Sequence, residues 1–281
     1  MDENNTRQTY LALRFAMLLL TAMLAVSIVL QVVAADDFCF LHSISAYYHS
    51  AVRNVFVGAL CAIGACLIVY RGNIDEENVA LDYSGFMAFV VAFVPTEYDR
   101  ACSLADGPRP SDTDIADAAA NNVLALLVIA LAAVLAAWRL PWLRPDPDRP
   151  LGRFARTAVA VTVGLLVVGF AVFFLERDLF VRHGHAVAAV LLFAGIIAVV
   201  VFNARDFAAK RAVSLWRNRY SVMAVAMTLS VVGSVVLYLL GMRYAVLIAE
   251  ALLIGEFAVF WGMQTAELRN RTVRPAEPHR G

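Results

Sequence analysis

"RYAVLIAEALLIGEFAVFWGMQT", from Arg243 to Thr265, decides the fold class of this chain. After the initial arginine its only charged side chains are Glu250 and Glu256. About 20 apolar residues in an α-helix cross a hydrocarbon core of about 30 Å. No water is present there to hydrogen-bond the backbone, so a spanning segment must satisfy its own polar groups, as a helix does. The stretch therefore predicts a membrane-spanning helix.

Similar apolar runs recur along the 281 residues, of which 61% are hydrophobic and 16% charged. Soluble domains have about 25% charged residues, and the runs lack the alternation of a β-barrel. The sequence therefore predicts an all-α polytopic bundle, one integral membrane domain followed by a polar tail over 265–281. The eight predicted spans are 10–34, 51–70, 78–96, 118–138, 157–175, 184–203, 221–241 and 244–264.

The distribution of basic residues predicts the orientation. With the amino terminus in the cytoplasm, seventeen of the 23 arginine and lysine residues fall on the inner side and six on the outer side. Such a bias is the positive-inside rule, and it predicts that both termini are cytoplasmic. An alternative is that residues 1–35 are a signal peptide cleaved after Val33-Ala34-Ala35; the remaining topology would be the same. The zero net charge gives no reason to expect nucleic acid as a partner.

The stretch "HSISAYYHSAVRNVFVG", residues 42–58, is the most polar entrance to any of these spans. Extending the second span backwards as a helix places His42, Ser45, His49 and Arg53 on one face, because their spacings are three, four and four. Aromatic residues such as the two adjacent tyrosines of this stretch are typical of a membrane interface. We therefore expect an amphipathic helix whose polar face looks into a shared cavity.

Further polar groups are predicted on the same outer side. They are His183, His185, Asp36, Asp37, Glu97, Asp99, Glu176 and Asp178. Glu250 lies about two turns into the last span, within reach of them, whereas Glu256 is deeper and must be protonated or paired. The predicted ligand-binding set is Ser45, His49, Arg53, His183, His185 and Glu250. Histidines with carboxylates also suit a metal site, so His49, His183 and His185 are the alternative metal ligands; no cofactor is otherwise expected.

The predicted spans and loops suggest a role for each of the four cysteines. Cys61 and Cys66 lie within the second span, where a free cysteine packs as a small hydrophobe. Cys39 and Cys102 fall in the first two outer loops, on a side that is oxidising in bacteria. We predict a Cys39–Cys102 disulfide.

Ser45-x-x-x-His49 resembles the SxxxH motif of the superfamily that contains the alkaline ceramidases and the progestin–adipoQ receptors. The resemblance implies an intramembrane lipid-amide hydrolase with histidine-bound zinc, in which His49 is a ligand and Ser45 supports it. The HxxxH motif of that superfamily's final span has no counterpart here, because the last span has no histidine.

The segments "SISAYYH", "VFVGALCAIGACLIVYRG" and "WRNRY" are similar to those of multi-span bacterial membrane proteins without an assigned activity. That similarity implies the bacterial cytoplasmic membrane and multiple spans. Three functions follow as hypotheses: binding or transport of a small molecule or lipid through an outward-facing polar pocket, metal-dependent hydrolysis, or an accessory role without a ligand. The lipid bilayer is the expected partner, and the oligomeric state stays open.

Overall fold

The computed structural model describes residues 3–35, 39–96, 112–139 and 152–269. These residues form eight α-helices and no strand, which confirms the all-α prediction. The helices are α1 Glu3–Ala34, α2 Arg53–Val69, α3 Asp75–Phe93, α4 Asp112–Arg139, α5 Arg153–Leu175, α6 Arg177–Arg211, α7 Arg219–Leu239 and α8 Ala245–Arg269. Short 3-10 helices cover Ser45–His49 and Leu215–Arg217. One α-helix overlaps each of the eight predicted spans.

Five of these helices, α1, α5, α6, α7 and α8, are long and apolar enough to cross a membrane. The chain is therefore a membrane protein. Two others have shorter apolar stretches, Arg53–Val69 of α2 and Ala119–Ala133 of α4. Only 6% of the apolar window of α5, and the same share of α7, is buried within the protein. These two helices present most of their side chains outward, as expected of helices in contact with lipid.

Six of the helices form a closed ring. Its order is α1, α2, α3, α6, α7 and α8, each helix contacting the next, and α8 contacting α1. The main apolar core draws residues from all six and fills the centre of the ring, leaving a cavity of about 50 Å³. Helices α4 and α5 pack outside the ring against α3 and α6. A second, smaller cluster joins Val94, Val123, Leu127 and Phe173 there.

Small residues let α3 approach its two ring neighbours closely. A Cβ atom added to Gly64 of α2 would lie 2.7 Å from the carbonyl oxygen of Gly85 in α3. A Cβ atom added to Gly195 of α6 would collide with the hydroxyl of Ser84, on the same helix as Gly85. Lipid is as apolar as the side chains of these helices, so the hydrophobic effect does not hold membrane helices together. They associate through close packing, which small residues at the interface allow. Helix α3 is thus fixed on both sides.

Gly64→Ala is expected to destabilise the protein by about 1–3 kcal/mol, because the added methyl must displace the α3 backbone. Gly58→Ala, in the same helix, is the matched control, since nothing lies within 4 Å of its added Cβ. The control is expected to be neutral or slightly stabilising through helix propensity. Thermal unfolding in detergent, followed by circular dichroism, measures both; equal midpoints for the two variants would contradict the close approach.

Candidate functional site

The stretch 42–58 does not form the single amphipathic helix that its spacing predicted. A 3-10 helix over Ser45–His49, which we call the outer 3-10 helix, ends at Ser50, and α2 begins only at Arg53. The Ser50 hydroxyl donates to the Tyr47 carbonyl at 2.8 Å and accepts from the Val52 amide at 3.2 Å. Such local side-chain bonds compete with helical backbone pairing. The predicted face of His42, Ser45, His49 and Arg53 is therefore wrong.

Glu250 of α8 holds the start of the outer 3-10 helix. Its Oε1 accepts from the Ser45 hydroxyl at 2.6 Å, and its Oε2 accepts from the amides of Ile44 at 2.5 Å and Ser45 at 3.3 Å. One turn earlier, the Leu247 amide donates to the His42 carbonyl at 3.0 Å. A carboxylate oxygen is the acceptor that free amides at a helix start require. The structure thus brings Ser45 and Glu250 together.

Two histidines meet at the end of α3. His49 Nε2 donates to the Thr96 carbonyl at 2.7 Å, and His185 Nδ1 of α6 donates to the Val94 carbonyl at 2.6 Å. Both carbonyls follow the last residue of α3, where a helix leaves acceptors without intrahelical donors. The second ring nitrogen of His185 is buried and makes no hydrogen bond within the described residues. These two imidazoles therefore supply the hydrogen-bond donors that the carbonyls at the end of α3 lack.

We call Ser45, His49, His185 and Glu250 the outer polar layer, and the end of the bundle that holds them the outer end. Arg53 lies beside this layer, exposed on the surface. Its Cζ is 4.6 Å from the centroid of the Tyr48 ring, and its Nη2 donates to the Tyr48 hydroxyl at 3.0 Å. The layer joins α8, the outer 3-10 helix, α3 and α6 in one set of contacts.

His183 does not join the outer polar layer. It is exposed, whereas His185 is buried, because two residues are about 200° apart around a helix. His183 instead lines an apolar cavity of about 350 Å³ between α3, α4, α5 and α6, which we call the outer cavity. Side chains from each helix form its wall, among them Val90, Leu127, Leu166, Phe170 and Leu191.

Sequence reasoning missed a second polar cluster, at the opposite end of the ring, which we call the inner end. Arg14 of α1 donates to the Gln264 carbonyl at 2.5 Å and to the Tyr70 hydroxyl. Gln264 Nε2 donates to Asn203 Oδ1 at 2.7 Å, and Asn203 Nδ2 donates to Glu77 Oε1 at 2.7 Å. This inner polar network links α1, α8, α2, α6 and α3.

The members of the inner polar network are deeply placed. Arg14 is 6% exposed and Glu77 is 1% exposed. The sequence offered one indication of this network: Arg14 and Glu77 interrupt or border apolar runs, where the predicted spans approach the inner side. Charged groups at such positions are costly and mark functional sites by default.

Glu256, the deeper acid of α8, accepts from the Ser230 hydroxyl of α7 at 2.9 Å. Its second oxygen, Oε2, is buried and makes no hydrogen bond within the described residues, so only one oxygen of this acid has the expected partner. Cys39 is disulfide-bonded, and Cys61 and Cys66 carry free thiols. Cys102 lies outside the described residues, so its pairing with Cys39 stays a prediction. The acids Asp36, Asp37, Glu97 and Asp99 also lie outside them.

The zinc site implied by the SxxxH resemblance does not fit this arrangement. Ser45 bonds Glu250 and His49 bonds a backbone carbonyl, while His183 lies on another face. Within the described ranges, no group of three or more His, Cys, Asp or Glu side chains could hold a metal ion. No protein-family model, characterised protein or solved structure matches the chain.

Burial lowers the pKa of His49; the Thr96 carbonyl opposes this shift, and the charge of Arg53 adds to it. In the unfolded chain a histidine titrates near about 6.5, so below that pH the unfolded state binds more protons than the folded state. Stability is therefore expected to fall as the pH drops from about 7.5 to about 5.5. His49→Gln keeps a donor for Thr96 without a titrating ring, and should show a smaller fall in unfolding midpoint. An equal fall in both proteins would contradict this role.

Proposed function

We propose that this membrane protein binds a membrane lipid, one acyl chain of which occupies the outer cavity. The observation that carries the proposal is the cavity itself: about 350 Å³, walled by side chains of four helices. That volume lies within the range of about 300–1,000 Å³ typical of ligand sites, which are mostly apolar with a few polar groups. Here the polar group is His183.

The position of the outer cavity favours a lipid over a water-soluble ligand. Leu165 and Val168 of α5, and Leu179 and Val187 of α6, line the cavity and are also exposed large hydrophobic residues. The cavity therefore opens on the apolar surface of the bundle, where acyl chains are the available solvent. An acyl chain is as apolar as leucine, so its binding to the protein within a bilayer depends on close packing in the cavity.

His183 supplies a contact for the polar part of the bound lipid. It lies near the start of α6, so its ring is near the outer end, where a headgroup would meet water. An imidazole donates and accepts hydrogen bonds, which suits phosphate or hydroxyl groups. Of the six residues predicted to bind ligand, His183 is the one that this proposal retains; Ser45, His49, His185 and Glu250 serve the outer polar layer.

The proposal includes eight spans in a bacterial cytoplasmic membrane, with both termini in the cytoplasm. His185 near the start of α6 contacts the end of α3, and Asn203 near the end of α6 contacts the start of α3, which supports antiparallel neighbours. The seventeen basic residues on the inner side support the orientation. Helices α2, α3 and α4 then cross as well, although the apolar stretches of α2 and α4 are shorter than those of the other five and α3 begins with three acidic residues.

Orientation is tested by cysteine labelling at two exposed positions, Asp178 at the start of α6 and Ser214 between α6 and α7. In intact cells a membrane-impermeant maleimide is expected to label Asp178→Cys and not Ser214→Cys. Permeabilisation should expose the second site. Wild type gives the background from the native thiols. Labelling of Ser214→Cys alone in intact cells would reverse the proposed orientation.

Lipid binding is tested by filling the outer cavity. Gly169 of α5 lines it, and nothing lies within 4 Å of an added Cβ, so Gly169→Phe projects a ring into open space. Phosphatidylcholine retained after detergent washing, counted by native mass spectrometry, is expected to fall at least about fivefold. Gly164→Phe is the matched control, because Gly164 is on the same helix, has equally open space and does not line the cavity. Equal retention in both variants would refute the proposal.

A further inference from the structure

A polar cavity of about 100 Å³ lies at the inner end, between α1, α6, α7 and α8. We call it the inner cavity. Its buried walls include Arg14, Asn203 and Gln264, all members of the inner polar network. Lys210 and Arg211, at the end of α6, also line it and are exposed, so the cavity leads from the inner surface to a buried guanidinium.

Arg14 is charged, buried and bonded only to neutral acceptors in the described residues. Those acceptors are the Gln264 carbonyl and the Tyr70 hydroxyl, and its Nε is buried without a hydrogen bond. The guanidinium also lies over the rings of Tyr70 and Trp261, 5.0 Å and 5.8 Å from their centroids. Ring stacking positions the group but does not neutralise it. The Arg14 guanidinium therefore has an unused hydrogen-bond donor, lines the cavity and contacts no carboxylate of the described residues.

The other charges around the inner cavity are largely paired. Lys210 Nζ contacts Asp206 Oδ2 at 2.7 Å, and Arg219 forms an ion pair with Glu267, which also accepts from the Tyr220 hydroxyl. Glu77 faces Arg14 across the network, its oxygens engaged by Asn203 and by the Asn73 amide.

Of the charged residues that line the inner cavity, three are basic and two are acidic: Arg14, Lys210 and Arg211 against Asp206 and Glu267. An isolated charge away from water is costly unless it is paired. One singly charged anion in the inner cavity would balance the set.

We propose that the inner cavity binds a phosphate group, carried either by an anionic lipid headgroup or by free phosphate. Arg14 is the buried anchor, because a guanidinium offers several donors in the planar geometry that phosphate oxygens accept. Lys210 and Arg211 attract the anion at the mouth. Basic pockets between membrane helices at this face are known to hold anionic headgroups. This site is separate from the outer cavity and does not depend on lipid binding there.

The test uses the full chain in detergent and two probes, phosphatidylglycerol followed by native mass spectrometry and inorganic phosphate followed by calorimetry. Wild type is expected to bind at least one probe, and Arg14→Gln to weaken that binding at least about tenfold, the loss of one charge-assisted contact of about 1.4 kcal/mol or more. Arg205→Gln, an exposed arginine of α6 outside the cavity, is the matched control and should bind as wild type does. Binding of phosphatidylglycerol that Arg14→Gln weakens, without binding of inorganic phosphate, identifies the lipid as the source; binding of inorganic phosphate identifies the free anion.

A second variant keeps the test decisive should Arg14→Gln fail to fold. The double variant Lys210→Gln, Arg211→Gln alters only exposed side chains. It is expected to lower the affinity for the probe several-fold and to leave the unfolding midpoint unchanged. The proposal is overturned when wild type binds neither probe, or when the double variant and any folded Arg14→Gln bind as tightly as Arg205→Gln. It is also overturned when, in a Gly169→Phe background whose outer cavity is filled, phosphatidylcholine competes equally with phosphatidylglycerol and inorganic phosphate does not bind.

Discussion

Hydrocarbon offers no hydrogen-bonding partner, so each polar group that a membrane bundle buries must find its partner within the protein. In this chain that requirement concentrates polar contacts in two layers, one at each end of a six-helix ring. At the outer end, Glu250 accepts from the start of the outer 3-10 helix and two histidines donate to the end of α3. At the inner end, Arg14, Gln264, Asn203 and Glu77 form one continuous chain of bonds.

Between the two layers the ring is filled by apolar side chains and closely packed small residues. The approach of Gly64 to Gly85, and of Gly195 to Ser84, holds α3 against both of its ring neighbours. Both polar layers in turn use α3, through the carbonyls of Val94 and Thr96 at one end and Glu77 at the other. The polar contacts thus fix the ends of a helix whose middle is fixed by sterics. Helices α4 and α5 lie outside this arrangement and enclose the outer cavity instead.

Sequence reasoning located the helices because the length of an apolar run is a local property of the chain. The nearness of Glu250 to the stretch 42–58 was also predictable, since this acid lies about two turns from the outer end of its predicted span. The break at Ser50 could not be predicted from residue spacing, because spacing presupposes a regular helix. The Ser50 hydroxyl instead forms hydrogen bonds with nearby backbone groups that compete with helical pairing. The inner polar network was missed for a different reason. Arg14 and Gln264 are far apart in the sequence, and which helices become neighbours is set by packing that no single segment encodes.

The length of α6 gives it a mechanical role. It runs from Arg177 to Arg211 without a proline and carries His185 near one end and Asn203 near the other, about 27 Å apart at the usual helical rise. A continuous helix without proline lacks the commonest cause of a kink. One element thus holds a buried hydrogen bond of each polar layer, so a substitution that shifts α6 along its axis is expected to disturb both layers at once.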